Sequence, residues 1–72
     1  MDKIIYKLLL PLVNDKSGYS ILQEYAEARI EILKNTLSYE PDIEKIKSLQ
    51  GSITELRRIK TLREEVIEGL KN

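Results

Sequence analysis

The sequence predicts an all-α fold: an antiparallel helical hairpin with coiled-coil-like packing, joined to a short N-terminal hydrophobic helix or arm. Two stretches, about 19–38 and about 42–70, carry apolar residues mostly in steps of three and four, which is the spacing of one helix face. The linker between them is short, and a short linker places two helices side by side and antiparallel. The 72 residues have room for one small domain, which we place over 1–72.

The first element is a hydrophobic arm over residues 1–13, and three placements of it are open. The arm is too apolar to stay in water, and it is shorter than the ~20 residues of a membrane-spanning helix. It could fold as a short helix over the hairpin, cover a neighbouring subunit or partner protein, or lie on a membrane surface. Pro11 interrupts the apolar run and no small-residue cleavage site follows. We therefore expect no signal peptide and a cytoplasmic or virion-associated chain.

The first long helix follows a turn-rich break over residues 14–18. Ser20 or Ser17 is the expected N-cap, because a serine hydroxyl can accept a hydrogen bond from a backbone amide of the first turn. Arg29 lies within the predicted apolar stripe, where it either reaches out to water or pairs with a carboxylate such as Glu55 or with a subunit partner. The predicted stripe consists of Ile21, Leu22, Tyr25, Ala26, Ile30, Leu33 and Leu37.

The second long helix begins after Pro41, whose ring disfavours helix at the preceding residue and suits a first helical turn. Gly51 stands in its interior, where glycine costs about 1 kcal/mol relative to alanine. Two explanations are open for this glycine: close approach of another backbone, or a break in the helix at Gln50 and Gly51. Gly69 could simply end the helix. The apolar positions are Ile43, Ile46, Leu49, Ile53, Leu56, Ile59, Leu62, Val66 and Leu70.

Charge is balanced overall but divided along the chain. The 12 basic and 12 acidic side chains cancel, yet residues 18–41 carry a net charge of −2 and residues 42–63 a net charge of +3. This division predicts an acidic helix beside a basic one, with the charges selecting the orientation. Burial must drive folding, because an exposed ion pair contributes only about 0–1 kcal/mol. The neutrality of the whole chain, with no aromatic residues among the arginines and lysine of 57–63, argues against nucleic-acid binding.

The composition excludes most site chemistry. The chain has no histidine and no cysteine, so it lacks the commonest general base near neutral pH, the commonest transition-metal ligand and any thiol nucleophile. We therefore predict no catalytic residue, no cofactor and no metal site, and a protein that is not an enzyme. A domain this small gains stability by oligomerising or by docking on a partner.

The arm, the two breaks and the irregular helix positions supply candidate interface residues. Tyrosine is enriched in interfaces, because it combines a large contact area with a polar tip. Tyr25 is the exception, since its place within the stripe predicts simple core packing. The expected partner is a second copy of the chain, which gives a homo-oligomer, or a larger protein. The candidates are Ile5, Tyr6, Leu9, Leu12, Tyr19, Arg29, Tyr39 and Gly51.

Three segments that together span roughly half of the chain share the pattern of a known group of proteins. They are Arg29-Ile30-x-x-Leu33, Leu49-Gln50-Gly51-x-Ile53-x-x-Leu56-Arg57 and Leu62-Arg63-Glu64-Glu65-Val66. In these segments the chain resembles short α-helical proteins encoded by tailed bacteriophages, and the Gln-Gly pair inside a helix is the most distinctive part. The resemblance implies a viral structural component that acts in virion assembly. The alternative is a small phage-encoded inhibitor or anti-defence protein that binds a host factor.

Overall fold

The structure, a computed structural model, describes residues 3–71, and these residues form an all-α fold. The helices are α1 Lys3–Asn14, α2 Lys16–Tyr39, α3 Ile43–Lys60 and α4 Leu62–Lys71. The predicted fold class is confirmed, because α2 and α3 pack against each other as a helical hairpin. The first two residues of the predicted arm lie outside the described residues, as does Asn72.

The predicted arm is the helix α1, which folds back onto the opposite end of the chain. It packs mainly against α4 and to a smaller extent against α2, with Tyr6 and Val13 buried. Of the three placements, the structure therefore has the short helix folded over the hairpin. Pro11 lies inside α1 without ending it. Its ring is on the exposed side of the helix, where water can reach the backbone carbonyl that the missing proline amide leaves unbonded.

The break between α1 and α2 is shorter than predicted, because Asp15 alone separates the two helices. Asp15 is the N-cap in place of Ser17 or Ser20: its Oδ1 accepts a hydrogen bond from the Gly18 amide at 3.2 Å. The Ser17 hydroxyl donates to the same oxygen at 3.2 Å. A carboxylate at this position also interacts favourably with the positive end of the helix dipole.

The second predicted helix is divided in two at Thr61. α3 ends at Lys60 and α4 begins at Leu62. The Tyr19 hydroxyl bridges the interruption, because it donates to the Ile59 carbonyl at 2.7 Å and accepts from the Arg63 amide at 3.1 Å. These hydrogen bonds satisfy backbone groups that a continuous helix would have paired internally.

The core has two parts of different thickness. The thicker part, which we call the tyrosine cluster, joins α1, α2 and α4 and consists of Tyr6, Val13, Tyr19 and Val66. Nearer the α2–α3 linker, Ala26, Ile30 and Ile53 are buried between two helices. The molecule is correspondingly elongated and flat, with extents of 43 × 25 × 14 Å.

Ion pairing between α2 and α3 is confined, within residues 3–71, to Glu27 and Lys60. In this range, the two oppositely charged helices therefore form one ion pair with each other. Apolar burial, rather than a ladder of ion pairs, holds the hairpin together. None of the helices in the described range is long and apolar enough to cross a membrane.

Candidate interaction surface

The side of α1 that faces away from the tyrosine cluster is apolar. Ile4 and Leu8 are each 71% exposed, and Ile5 and Leu12 are about 40% exposed. We call these four residues the α1 outer face. A helix that is apolar on both sides, in a protein this small, is typical of an element that contacts a further molecule.

α2 carries two stripes of mainly apolar residues on different sides of the helix. The inner stripe faces α3 and the tyrosine cluster, and it consists of Tyr19, Leu22, Ala26, Ile30, Leu33 and Leu37. The outer stripe faces solvent, and it consists of Ile21, Tyr25, Ala28, Ile32, Asn35 and Tyr39. The four large apolar side chains of the outer stripe are between 52% and 88% exposed.

The two stripes correct the single stripe that the sequence predicted. Ile21 and Tyr25 were expected in the core, but they are exposed. Each directly precedes an inner-stripe residue, Leu22 or Ala26, and one residue along a helix is a rotation of about 100°. Tyr25 is therefore a surface residue, although its place in the predicted stripe indicated core packing.

Tyr6 and Tyr19, both predicted as interface residues, belong to the core of the chain itself. They are 9% and 5% exposed. α1 and α4 close over both rings, which the sequence alone did not reveal. In this fold neither ring is available to a partner, and Leu9 is half-buried against the same cluster.

The other predicted interface residues lie at the surface. Ile5 and Leu12 belong to the α1 outer face, and Tyr39 ends the outer stripe. Arg29 is exposed beside the outer stripe. It does not pair with Glu55, whose carboxylate lies 3.6 Å from Arg58 instead.

Within the described residues, neither of the two explanations for Gly51 applies. α3 continues through it, so the helix does not break there. A Cβ built at this position meets no atom within 4 Å, so no backbone of residues 3–71 packs closely against it. Its side of α3 is exposed and polar, unlike the outer stripe of α2.

A small polar network fastens α1 and α3 to α4. The Tyr6 hydroxyl donates to Oε2 of Glu65 at 3.3 Å, and Nη2 of Arg58 donates to both oxygens of Glu65 at 3.1 and 3.3 Å. Burial of the ring and then the charge of Glu65 raise the pKa of Tyr6. The hydrogen bond to Glu65 and the negative charge of that residue raise the pKa of Arg58.

A second polar contact joins the two helices of the hairpin. The Lys60 ammonium donates to Glu27, and that hydrogen bond, together with the positive charge, lowers the pKa of the Glu27 carboxyl. Beside it, Nε2 of Gln23 donates to the Lys60 carbonyl at 2.8 Å. These contacts fix how α2 is rotated against the end of α3.

An open cleft of about 390 Å³ lies where α1 and α2 meet α4. Its lining includes Lys16, Tyr19, Gln23, Arg63 and Glu64, which are mixed in charge. Tyr19 and Gln23 already hydrogen-bond the backbone at the α3–α4 break. In the part of the chain that the structure describes, no three acidic side chains are grouped as metal ligands would be.

Further exposed apolar residues, which were not among the predicted interface candidates, include Ile4, Leu8, Ile21, Ile32 and Ile43. A signal for those of α2 was present, because the outer stripe follows steps of four, three, four, three and four, the heptad spacing of a coiled-coil seam. For α1 no such signal existed, since the run is apolar almost throughout.

No family model, no curated protein and no solved structure matches this chain.

Proposed function

We propose that the chain is a non-enzymatic helical interaction module that binds a second copy of itself or a larger protein. The observation that carries this proposal is the pair of exposed apolar surfaces, the α1 outer face and the outer stripe of α2. Contiguous apolar patches of this kind on small soluble domains mark protein–protein contacts.

The shape of the molecule supports the proposal. Its radius of gyration is 14.6 Å, whereas a compact chain of this length has one of about 11 Å. Its accessible surface is 5320 Å², against roughly 4,600 Å² for a compact monomer of this mass. The elongated chain therefore exposes roughly 700 Å² more surface than a compact monomer would, which leaves more of its apolar side chains in contact with water.

The resemblance to short phage proteins extends the proposal to a role in virion assembly. The role in a particle is tested by mass spectrometry of purified particles, which would contain the chain in stoichiometric amounts. Its absence from particles, together with its presence in infected cells, would instead favour the inhibitor that acts during infection.

Photo-crosslinking in the cells that make the protein tests the interaction itself. A photoreactive phenylalanine analogue replaces Leu8 on the α1 outer face or Tyr25 on the outer stripe, and replaces Thr54 on the polar side of α3 as the control. We expect discrete covalent adducts from position 8 or 25 and none from position 54. The adduct mass separates a second copy of the chain from a larger protein.

The same experiment can overturn the proposal. If neither position 8 nor position 25 gives more adduct than the control position, the exposed apolar surfaces have no protein partner and the interaction module is wrong.

A further inference from the structure

We propose that the outer stripe of α2 is the contact of a parallel homodimer, in which Glu24 of each copy pairs with Arg29 of the other. This inference deepens the proposed function and rests on it. It assigns the second copy of the chain to one surface, one orientation and one ion pair.

The spacing of the outer stripe is the heptad spacing of a coiled-coil seam. Ile21, Ala28 and Asn35 occupy d positions of a heptad, and Tyr25, Ile32 and Tyr39 occupy a positions. Six successive a and d positions span about 27 Å at the helical rise of 1.5 Å per residue. All six are exposed, so the stripe is open along its whole length.

The charged residues that flank the stripe favour a second copy of the chain as its partner. In this heptad Glu24 and Glu31 are at g positions, and Arg29 is at an e position. In a parallel pair, a g residue faces the e residue five positions later on the other helix. Glu24 therefore faces Arg29 of the second copy, and the two-fold symmetry makes this pair twice.

An antiparallel arrangement loses this complementarity. There g residues face g residues and e residues face e residues. With the stripes in full overlap, Glu31 of one chain would face Glu31 of the other, and Arg29 would face Arg29. Like charges would therefore oppose each other. Asn35 would stand opposite the ring of Tyr25, whereas in the parallel arrangement the polar Asn35 of one copy lies opposite that of the other.

The two charges that the dimer uses are free to make the contact. Glu24 and Arg29 are both exposed, and neither has an ion-pair partner within residues 3–71. Other charges of α2 are already engaged: Glu27 with Lys60, and Lys34 with Glu31 at 3.5 Å. The α1 outer face lacks such a pattern, since the charged side chains within α1, Lys3 and Lys7, have the same sign.

Charge exchange tests both the surface and the orientation. Glu24→Arg alone places two arginines at each flank, and Arg29→Glu alone places two glutamates there, so we expect each variant to dimerise about tenfold more weakly than the parent. An equimolar mixture of the two variants restores complementary pairs, so we expect heterodimers of parental affinity. Sedimentation at increasing concentration measures the dimerisation of the two variants and of their mixture. Lys47→Glu on the polar side of α3 is the control.

Cysteine crosslinking gives an independent measure of register. The chain has no native cysteine, so Ala28→Cys introduces a single thiol at a position that faces itself only in the parallel arrangement. We expect a disulfide-linked dimer under mild oxidation from this variant and none from Thr54→Cys.

The outcomes separate this inference from the proposed function. A dimer that neither crosslinks at position 28 nor regains affinity in the mixture overturns the parallel seam but leaves self-association standing. A chain that stays monomeric at every concentration overturns the homodimer, while adducts with a larger protein at position 8 or 25 would still support the interaction module.

Discussion

The ring of Tyr6 lies against α4 at Gly69, in the space that a side chain at this position would occupy. The sequence suggested that Gly69 ends the helix, yet α4 continues to Lys71. A Cβ at this position would overlap three carbons of the Tyr6 ring, which is itself packed in the tyrosine cluster. The glycine therefore allows α1 to lie close to α4.

Replacing this glycine should weaken the docking of α1. We expect Gly69→Ala to lower the free energy of unfolding by about 1–3 kcal/mol, because the displaced ring strains a well-packed core. Gly51→Ala is the matched control, and it should raise the free energy of unfolding by up to about 1 kcal/mol, because alanine is the better helix former and its Cβ meets nothing there. Urea unfolding measures both, and equal stability of the two variants would contradict the contact.

Tyr19 closes the α3–α4 break through its hydroxyl. We expect Tyr19→Phe to lower the free energy of unfolding by about 1–2 kcal/mol, because the Ile59 carbonyl and the Arg63 amide lose their shared partner. Tyr39→Phe, at a residue that is 88% exposed, should change it little. Thermal unfolding followed by circular dichroism compares the two, and a stable Tyr19→Phe variant would show that water replaces the hydroxyl at no cost.

At the scale of the helices, the sequence located α2, the start of α3 and the linker between them because local signals mark them. Pro41 and Asp42 identify the start of α3, where Asp42 caps the Glu44 amide at 2.9 Å. The break at Thr61 carries no glycine or proline, so no local signal marks it. It depends on Tyr19, which is distant in sequence and was itself assigned to an interface.

The contact of Glu27 with Lys60 makes the stability of the hairpin depend on pH. Lys60 lowers the pKa of Glu27 in the folded chain below the ordinary glutamate value of about 4.3. The contact therefore stabilises the fold fully above that value, and this contribution is lost as the pH falls through the lower pKa of the folded state.

Glu27→Gln should remove this part of the acid sensitivity. We expect the free energy of unfolding of the variant to fall less steeply than that of the parent as the pH drops below the ordinary glutamate pKa. Lys60→Gln should flatten the same part of the curve, because it removes the other partner. A parent and a Glu27→Gln variant with parallel curves would show that the ion pair does not contribute.

At the scale of the whole molecule, the homodimer makes the melting temperature depend on concentration. Because the partner binds only the folded chain, each tenfold rise in concentration should raise Tm by about 4 °C. Ile32→Glu on the outer stripe should abolish this dependence and leave the helical content unchanged, since the position is exposed. Calorimetry at several protein concentrations measures the Tm of both chains. If the Tm of the parent does not change with concentration, the dimer is wrong.

The two stripes of α2 are not interchangeable against α3. Ile21, Tyr25 and Ile32 each directly precede an inner-stripe residue, but so do Arg29 and Thr36, so turning α2 by one residue would bring a charge and a hydroxyl inward as well. Hydrophobicity therefore favours the observed rotation, because the other one would bury the charge of Arg29. The contacts of Gln23 and Glu27 with Lys60 add to this preference. A deletion of one residue early in α2 would place the residues that follow the inner stripe against α3, among them Glu27, Glu31 and Lys34. The hairpin would then lose the apolar side of α2 that it buries.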